Sequence, residues 1–135
     1  APPMASLPAK TAEDSRYTLR VPIYSSMTDE RGRIKPDVVL KLIDVAGCVP
    51  VKLHLGPYLD PVTASIDRMD FLGPVNPWEI LILDSRITRI WNTSIESRVV
   101  VTAWSFRTNE IRAIANAYMV TVATRDYASR KADKS

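Results

Sequence analysis

The sequence predicts an α+β domain in which a curved antiparallel sheet wraps round one buried helix. Residues 35–54 carry apolar side chains on nearly every side, and a helix that is apolar all round is normally buried. After residue 61 the pattern changes to four long segments separated by short turns, as in an antiparallel meander. One curved sheet packed on one apolar helix is a regular α+β arrangement.

Composition sets limits on the class of protein. The chain has 135 residues, 46% of them hydrophobic, which indicates one domain with a proper core. The formal net charge is +3 and the pI about 9.2, with the basic residues scattered. Scattered charge does not predict nucleic acid as a direct, specific ligand.

The single cysteine and the single histidine limit the chemistry further. One cysteine excludes an internal disulfide and a cysteine-based metal site, and one histidine excludes a multi-histidine site. We therefore expect neither a metal nor a cofactor. Cys48 falls in the predicted buried helix, which favours a packed thiol over a nucleophile.

The chain divides into three parts. Residues 1–15 mix Pro, Ala and Ser without periodicity and predict an extended N-terminal arm. Residues 16–126 form the predicted folded domain, and 127–135 a charged, frayed tail. The chain opens APPMASLPAK without an initiator Met, which fits a processed or trimmed chain and leaves the loss of a targeting peptide open. It contains no run long enough to span a membrane.

Each element before the meander has a local signal. Arg16 to Ile23 alternates and predicts a strand. Residues 24–34 are polar, contain Gly32 and predict a loop. Pro36 suits the first helical position, where its missing N–H would be unpaired anyway. Pro50 should kink or end the helix, because proline removes a backbone donor and clashes with the preceding turn.

The meander begins after a turn at residues 56–61. The final segment, rich in alanine, could also be a helix, but the preceding meander favours a strand. The predicted strands are 62–72, 78–90, 95–106 and 111–124, separated by turns at 73–77, 91–94 and 107–110.

Asp44 is the only acidic residue in the interior of the apolar helical segment. A carboxylate in such surroundings is paired, exposed at a gap in the packing, or functional. The residue pattern leaves these three alternatives open.

Several ordered segments resemble the acyl-CoA thioesterase family with the hotdog fold, in its long-chain acyl-CoA hydrolase branch. They are LKLIDVAG at 40–47, VTASIDRMDFLGPV at 62–75, SRITRIWNTS at 85–94, VTAW at 101–104 and AIANAYMVTVATRD at 113–126. The resemblance covers roughly residues 17–126. It implies a hotdog domain that pairs with another hotdog protomer, identical or not, with active sites between the two.

The resemblance also implies roles for individual residues. A helix carboxylate acts in the family as the base or water-orienting group, and it matches Asp44. A loop Asn supplied by the other protomer helps hold the water, and its position here is Asp29. Ser94 lies where the family approaches coenzyme A, or is a turn hydroxyl. Arg89, like Arg86 and Arg98, could meet the phosphates of coenzyme A or be a solvated strand arginine. A coenzyme A thioester is then the implied substrate.

The loop before the helix departs from the family pattern. The family has two glycines where this chain has Pro36 and Asp37. Pro36 removes an N–H that could serve the oxyanion, and Asp37 places negative charge where negative charge must develop. Asp29 facing Asp44 across a dimer would add like-charge repulsion and raise the pKa of one of them.

Two functional hypotheses follow. The first is a catalytically degenerate hotdog protein that serves as a structural or accessory subunit of a larger, mitochondrial assembly, with Trp78 and Trp91 as anchors for a partner. The second is an active thioesterase that hydrolyses fatty acyl-CoA to free fatty acid and CoA, with its site shared between protomers. Binding of acyl-CoA without turnover is a third reading, and the cytoplasm is the alternative location.

Overall fold

A computed structural model describes residues 16–56, 59–91 and 94–125. The predicted arm at 1–15 and tail at 127–135 lie outside these residues. The described chain forms β1 (Tyr17–Pro22), a 3-10 turn (Ser25–Met27), α1 (Pro36–Leu55), β2 (Leu59–Phe71), β3 (Glu79–Ile90), β4 (Ser94–Ser105) and β5 (Ile111–Arg125).

The five described strands make one antiparallel sheet in the order β1-β3-β4-β5-β2, and α1 packs against it. The predicted α+β class is therefore confirmed, as is the alanine-rich β5. One boundary is wrong. Leu59 to Pro61 were expected in a turn, yet they pair with β5, because the extended pairing partner outweighs the local turn signal.

The start and end of α1 follow its sequence. Lys35 is extended, as expected for a residue that precedes proline, and Pro36 occupies the first turn. At the other end Gly56 has a φ of 67°, a backbone conformation that suits glycine and terminates the helix.

Pro50 does not end the helix, which continues to Leu55. The carbonyl of Ala46 would normally accept the N–H of residue 50, which proline lacks. The hydroxyl of Ser85 on β3 donates to this carbonyl instead, at 2.5 Å. Of the two expected effects of Pro50, a kink or an end of the helix, the end is wrong, because a side chain from the sheet replaces the missing donor.

The sheet covers one side of α1. The buried helix residues include Val39, Ile43, Ala46, Gly47 and Val51, which face the sheet. The opposite side is open: Leu40, Val45 and Leu53 are 41%, 48% and 48% exposed. The prediction of a helix buried on all sides is therefore wrong for the described chain, since one sheet contacts only one face of a helical cylinder.

The core between α1 and the sheet is built from alternate residues of each strand. On β3 and β4 every second side chain is buried against the helix. Ala115, Ala117 and Met119 continue this inward face on β5. None of the helices in the described residues is long and apolar enough to cross a membrane.

Candidate functional site

Asp44 lies on the open side of α1. It lines a shallow cavity that is widely open to solvent and is formed by one helix alone, with Val45, Cys48, Val49, Lys52 and Leu53. Among the described residues, no hydrogen bond or ion pair engages its carboxylate. Asp44 is therefore not paired within the described part of the chain. It is either exposed at a gap in the packing or functional.

Cys48 follows Asp44 by one helical turn, so the two side chains are neighbours on one face. Burial raises the pKa of the Cys48 thiol, and the negative charge of Asp44 raises it further. A raised pKa lowers the fraction of thiolate, which is the nucleophilic form. This environment agrees with a thiol that is not a nucleophile, although Cys48 is half-buried rather than fully packed.

Asp29 folds its carboxylate into its own loop. One oxygen accepts the backbone N–H groups of Arg31 and Arg33 at 2.8 and 3.1 Å. The hydrogen bond from Arg33, followed by that from Arg31, holds the pKa of Asp29 below its ordinary value. Gly32, with a φ of 77°, lets the loop close. Asp29 thus stabilises a tight turn just before the helix.

Within one chain, Asp29 and Asp44 do not meet. Asp29 lines a separate cavity with Thr28, Glu30, Arg31 and Lys35. Asp44 lies eight residues into α1, about 12 Å along the axis from its first residue. The predicted repulsion between the two carboxylates therefore requires a second protomer and stays a prediction.

The N-terminus of α1 offers few free donors. Pro36 has no N–H, and the N–H groups of Val38 and Val39 both point at the carbonyl of Lys35, at 3.1 and 3.3 Å. Of the first four helical residues, Asp37 alone keeps an N–H without a backbone partner among those described. Its exposed carboxylate lies in the same turn and opposes a bound negative charge.

Arg89 and Ser94 lie together at the hairpin that joins β3 to β4. The N–H of Trp91 donates to the carbonyl of Ser94 at 2.8 Å, and the guanidinium of Arg89 lies 4.4 Å from the centre of the Trp91 ring. Ile87 and Ile95 pack against Val51 and Leu55, which places this hairpin near the C-terminal end of α1. The residues assigned to coenzyme A are thus brought together, at the opposite end of the helix from Asp29.

Comparison with known families now bears on this arrangement. The family model of the thioesterase superfamily matches residues 38–104, the region that holds most of α1, β2, β3 and nearly all of β4. The chain belongs to the thioesterase superfamily. Its single helix within the described residues and its five-stranded antiparallel sheet are those of the superfamily's hotdog fold.

Individual relatives of this hotdog chain are acyl-CoA enzymes. Acetyl-coenzyme A thioesterases of Mus musculus and Rattus norvegicus are each 29% identical over 79 residues, 58% of this chain and 14% of the relative. The matched region thus spans about one seventh of these curated proteins.

Solved structures give the same fold. An apo-hexameric acyl-CoA thioesterase has a TM-score of 0.81 at 27% identity, covering 88% of this chain and 74% of the other. An acyl-CoA hydrolase from Staphylococcus aureus, in complex with butyryl coenzyme A, coenzyme A and coenzyme A disulfide, has a TM-score of 0.80 at 24% identity, covering 88% and 71%.

Two features of this hotdog chain escaped the sequence analysis. Lys52 shares the cavity of Asp44, and its spacing of eight residues, two helical turns, could have indicated this. Ser85 and Ser97 are fully buried and donate to carbonyls of α1. Strand alternation places Ser85 and Ser97 on the inward face, but it does not indicate which carbonyls the hydroxyls bind. In the described residues, no three His, Cys, Asp or Glu side chains cluster as metal ligands would.

Proposed function

We propose that this chain is an acyl-CoA thioesterase-like hotdog protein whose active-site loop is catalytically degenerate, and that it serves as a structural or accessory subunit of a larger assembly. One observation carries the proposal: Pro36 has no N–H to offer an oxyanion, and Asp37 places a carboxylate in the same first turn of α1. Of the first four helical residues, only Asp37 keeps an N–H without a backbone partner among those described.

Thioester hydrolysis depends on hydrogen-bond donors of this kind. Water attack on a thioester carbonyl places negative charge on the carbonyl oxygen, and donors preorganised around that oxygen lower the barrier. Loss of one such donor typically costs about a hundredfold or more in rate. Asp37 adds a negative charge to the same turn. Both effects disfavour hydrolysis by an assembly in which every protomer carries this loop.

Asp29 supports the same proposal. A neutral amide at this position could donate a hydrogen bond to a water, whereas an ionised carboxylate accepts only. Here the carboxylate already accepts two backbone N–H groups of its own loop. Its role in this chain is then the shape of the loop rather than the orientation of a water.

The second candidate is an active thioesterase that hydrolyses fatty acyl-CoA to free fatty acid and CoA. The open, mainly apolar cavity beside Asp44 favours it. In this case Asp44 takes a proton from water as general base, the hydroxide adds to the thioester carbonyl, and the CoA thiolate leaves and is protonated. A non-identical hotdog partner would supply the loop donors. Arg89 and Ser94 would contact the phosphates of the coenzyme A thioester.

The partner in either case is another hotdog protomer, which would cover the open apolar side of α1. A solved relative is hexameric, and exposed apolar surface of this kind typically marks an interface. We propose a mitochondrial location for the assembly, on the basic pI and the altered active-site loop of this chain. The cytoplasm is the alternative.

Release of free CoA from short- to long-chain acyl-CoA substrates tests the proposal. The purified chain should release no more CoA than an Asp44→Ala variant, because both proteins lack an N–H at residue 36 and carry the Asp37 carboxylate beside the oxyanion position. Turnover that is lost in Asp44→Ala would reject the degenerate reading and identify Asp44 as the base.

Repair of the loop tests its cause. The triple variant Asp29→Asn, Pro36→Gly and Asp37→Gly should raise CoA release by about a hundredfold or more over the unmodified chain. The same triple variant with Asp44→Ala is the matched control and should stay inactive. If the repaired chain is folded and assembled but shows no turnover, the loop residues are not the cause of the missing activity.

A further inference from the structure

The outer face of the sheet, on the side away from α1, carries a row of arginines. The strand register pairs Arg86 with Arg98, Arg98 with Tyr118, and Tyr118 with Arg68, so the row crosses β3, β4, β5 and β2. Arg16, one residue before β1, extends the row on the other side. With strands about 4.8 Å apart, four spacings give a row roughly 19 Å long.

The row is electrostatically unfavourable by itself. Arg86 and Arg98 are directly opposite each other on neighbouring strands, a position in which like charges destabilise a sheet. Asp84, close to both, is already engaged: the Nε and a terminal nitrogen of Arg16 lie 3.0 and 2.5 Å from its two oxygens. Glu96 accepts instead from the hydroxyl of Thr88 at 2.8 Å.

The two central arginines form no close ion pair with a carboxylate among the described residues, although the charge of Asp84 interacts with Arg86 at longer range. Arg98 donates to the amide oxygen of Asn116 at 2.8 Å, which is a neutral partner. Arg86 is exposed, and no hydrogen bond or ion pair to it is formed within the described chain. Both guanidinium groups keep donors that could bind an anion bidentately.

A cavity of about 240 Å³ lies beside these groups. Arg16, Arg86 and Arg98 contribute its charged walls together with Asp84, and Ile82, Val100 and Thr102 complete the lining. Cationic groups beside apolar side chains suit a ligand that carries both carboxylates and apolar groups.

We propose that this outer face binds an extended acidic segment of a partner protein, with carboxylates on Arg86 and Arg98 and an apolar side chain over Ile82 and Val100. An extended segment of about six residues spans the length of the row. Bidentate contacts between guanidinium and carboxylate groups would relieve the repulsion between the paired arginines. The surface is separate from the Asp44 cavity, so the proposal does not depend on turnover.

Tyr118 argues for a peptide over a single-stranded nucleic acid. Nucleic acids bind such surfaces by stacking bases on open aromatic rings. The ring of Tyr118 is covered instead, with the guanidinium of Arg68 at 4.4 Å and that of Arg98 at 5.7 Å from its centre. The Tyr118 ring is therefore already in contact with two arginines and is not open for a base to stack on it.

Fluorescence anisotropy with defined probes tests the proposal on the full chain. The first probe is a labelled peptide of about seven residues that carries glutamate or leucine at every second position, with serine between them, so that the glutamates and leucines point to the same face. The second replaces each glutamate by glutamine, and the third is a uridine oligonucleotide of similar length. Arg86→Gln/Arg98→Gln is the test variant, and Arg33→Gln/Lys41→Gln, which removes the same charge from exposed positions elsewhere, is the matched control.

The unmodified chain should bind the acidic peptide, and added salt should weaken binding. The test variant should lose about tenfold or more in affinity, and the control about twofold at most. Arg86→Gln alone, which removes an exposed side chain, should also weaken binding and guards against misfolding of the double variant. Equal binding of the glutamate and glutamine peptides, or an unchanged test variant, would overturn the proposal. Tighter binding of the oligonucleotide than of the peptide would overturn the choice of partner.

Discussion

The hydroxyl of Ser85 supplies the hydrogen bond that Pro50 cannot supply inside α1. It donates to the carbonyl of Ala46, one turn before Pro50, at 2.5 Å, and Ser85 is fully buried. A proline in a helix interior otherwise leaves this carbonyl without a donor and breaks or kinks the helix. A residue on the sheet thus stabilises the helix that the sheet packs against.

Removal of the Ser85 hydroxyl should lower the free energy of unfolding strongly only while Pro50 is present. We expect Ser85→Ala to lower the free energy of unfolding by about 1–3 kcal/mol, because it leaves a buried carbonyl unsatisfied. In a Pro50→Ala background, the restored N–H of residue 50 takes over, and the same substitution should cost about 1 kcal/mol or less. Denaturant unfolding of the four proteins gives the coupling energy.

Ser97 provides the matched control. It is also buried and donates to a helix carbonyl, that of Gly47 at 3.2 Å. That carbonyl keeps the N–H of Val51 as its helical partner, so Ser97→Ala should show no coupling to Pro50. A Ser85→Ala cost that is the same with and without Pro50 would contradict this account.

Gly47 is required by the close approach of helix and sheet. A methyl group there would overlap the sulfur of Met119 and lie 3.2 Å from a methyl of Val99. We expect Gly47→Ala to be destabilising by about 1–2 kcal/mol, because overpacking outweighs the better helix propensity of alanine. Thermal unfolding measures this.

A second glycine serves as reference for that substitution. A methyl group at Gly73 would be 3.4 Å from the guanidinium of Arg112, an ordinary contact with a flexible group. Gly73→Ala should change stability by about 0.5 kcal/mol at most. If Gly47→Ala is as stable as the unmodified chain, the helix and sheet are not packed at this distance.

The thiol of Cys48 reports on the charge of Asp44. Its pKa lies above the ordinary value of 9.0, through burial first and Asp44 second. Asp44→Asn removes the second cause, so the pKa should fall and the thiolate fraction at a fixed pH below it should rise. The pH profile of alkylation by iodoacetamide should therefore shift to lower pH.

Asp37→Asn controls for the loss of a charge from the same helix. Asp37 is eleven residues from Cys48, about 16 Å along the axis, and should leave the alkylation profile unchanged. Identical profiles for the unmodified chain and Asp44→Asn would mean that the two side chains are not neighbours in solution.

The open side of α1 should be an interface with another protomer. Val45 is 48% exposed beside Asp44, and Val45→Glu would bury a charge there on assembly, at a cost of several kcal/mol. We expect the variant to have the mass of one chain, 15.1 kDa, by light scattering. Lys41→Glu, on the same helix and already polar, should stay assembled. A single-chain mass for the unmodified protein would contradict this prediction.

The sequence by itself determined the class and order of the elements. The apolar run at 35–54 and the alternating strands after it depend on local periodicity, which records which faces are buried. The start of α1 was predicted from the missing N–H of Pro36, and the last strand from the meander that precedes it. For the candidate site, the sequence indicated Asp44 and the altered loop at Asp29, Pro36 and Asp37.

Only the tertiary structure decided what these residues contact. Asp29 binds its own loop, which is a local contact, whereas Ser85, which keeps the helix continuous past Pro50, reaches a carbonyl far away in the chain. The row of arginines on the outer face likewise arises from strand register, which joins residues far apart in the chain. Periodicity states which face a side chain occupies, but pairing across the sheet and contact with the helix are non-local, so they were set by packing of the whole chain.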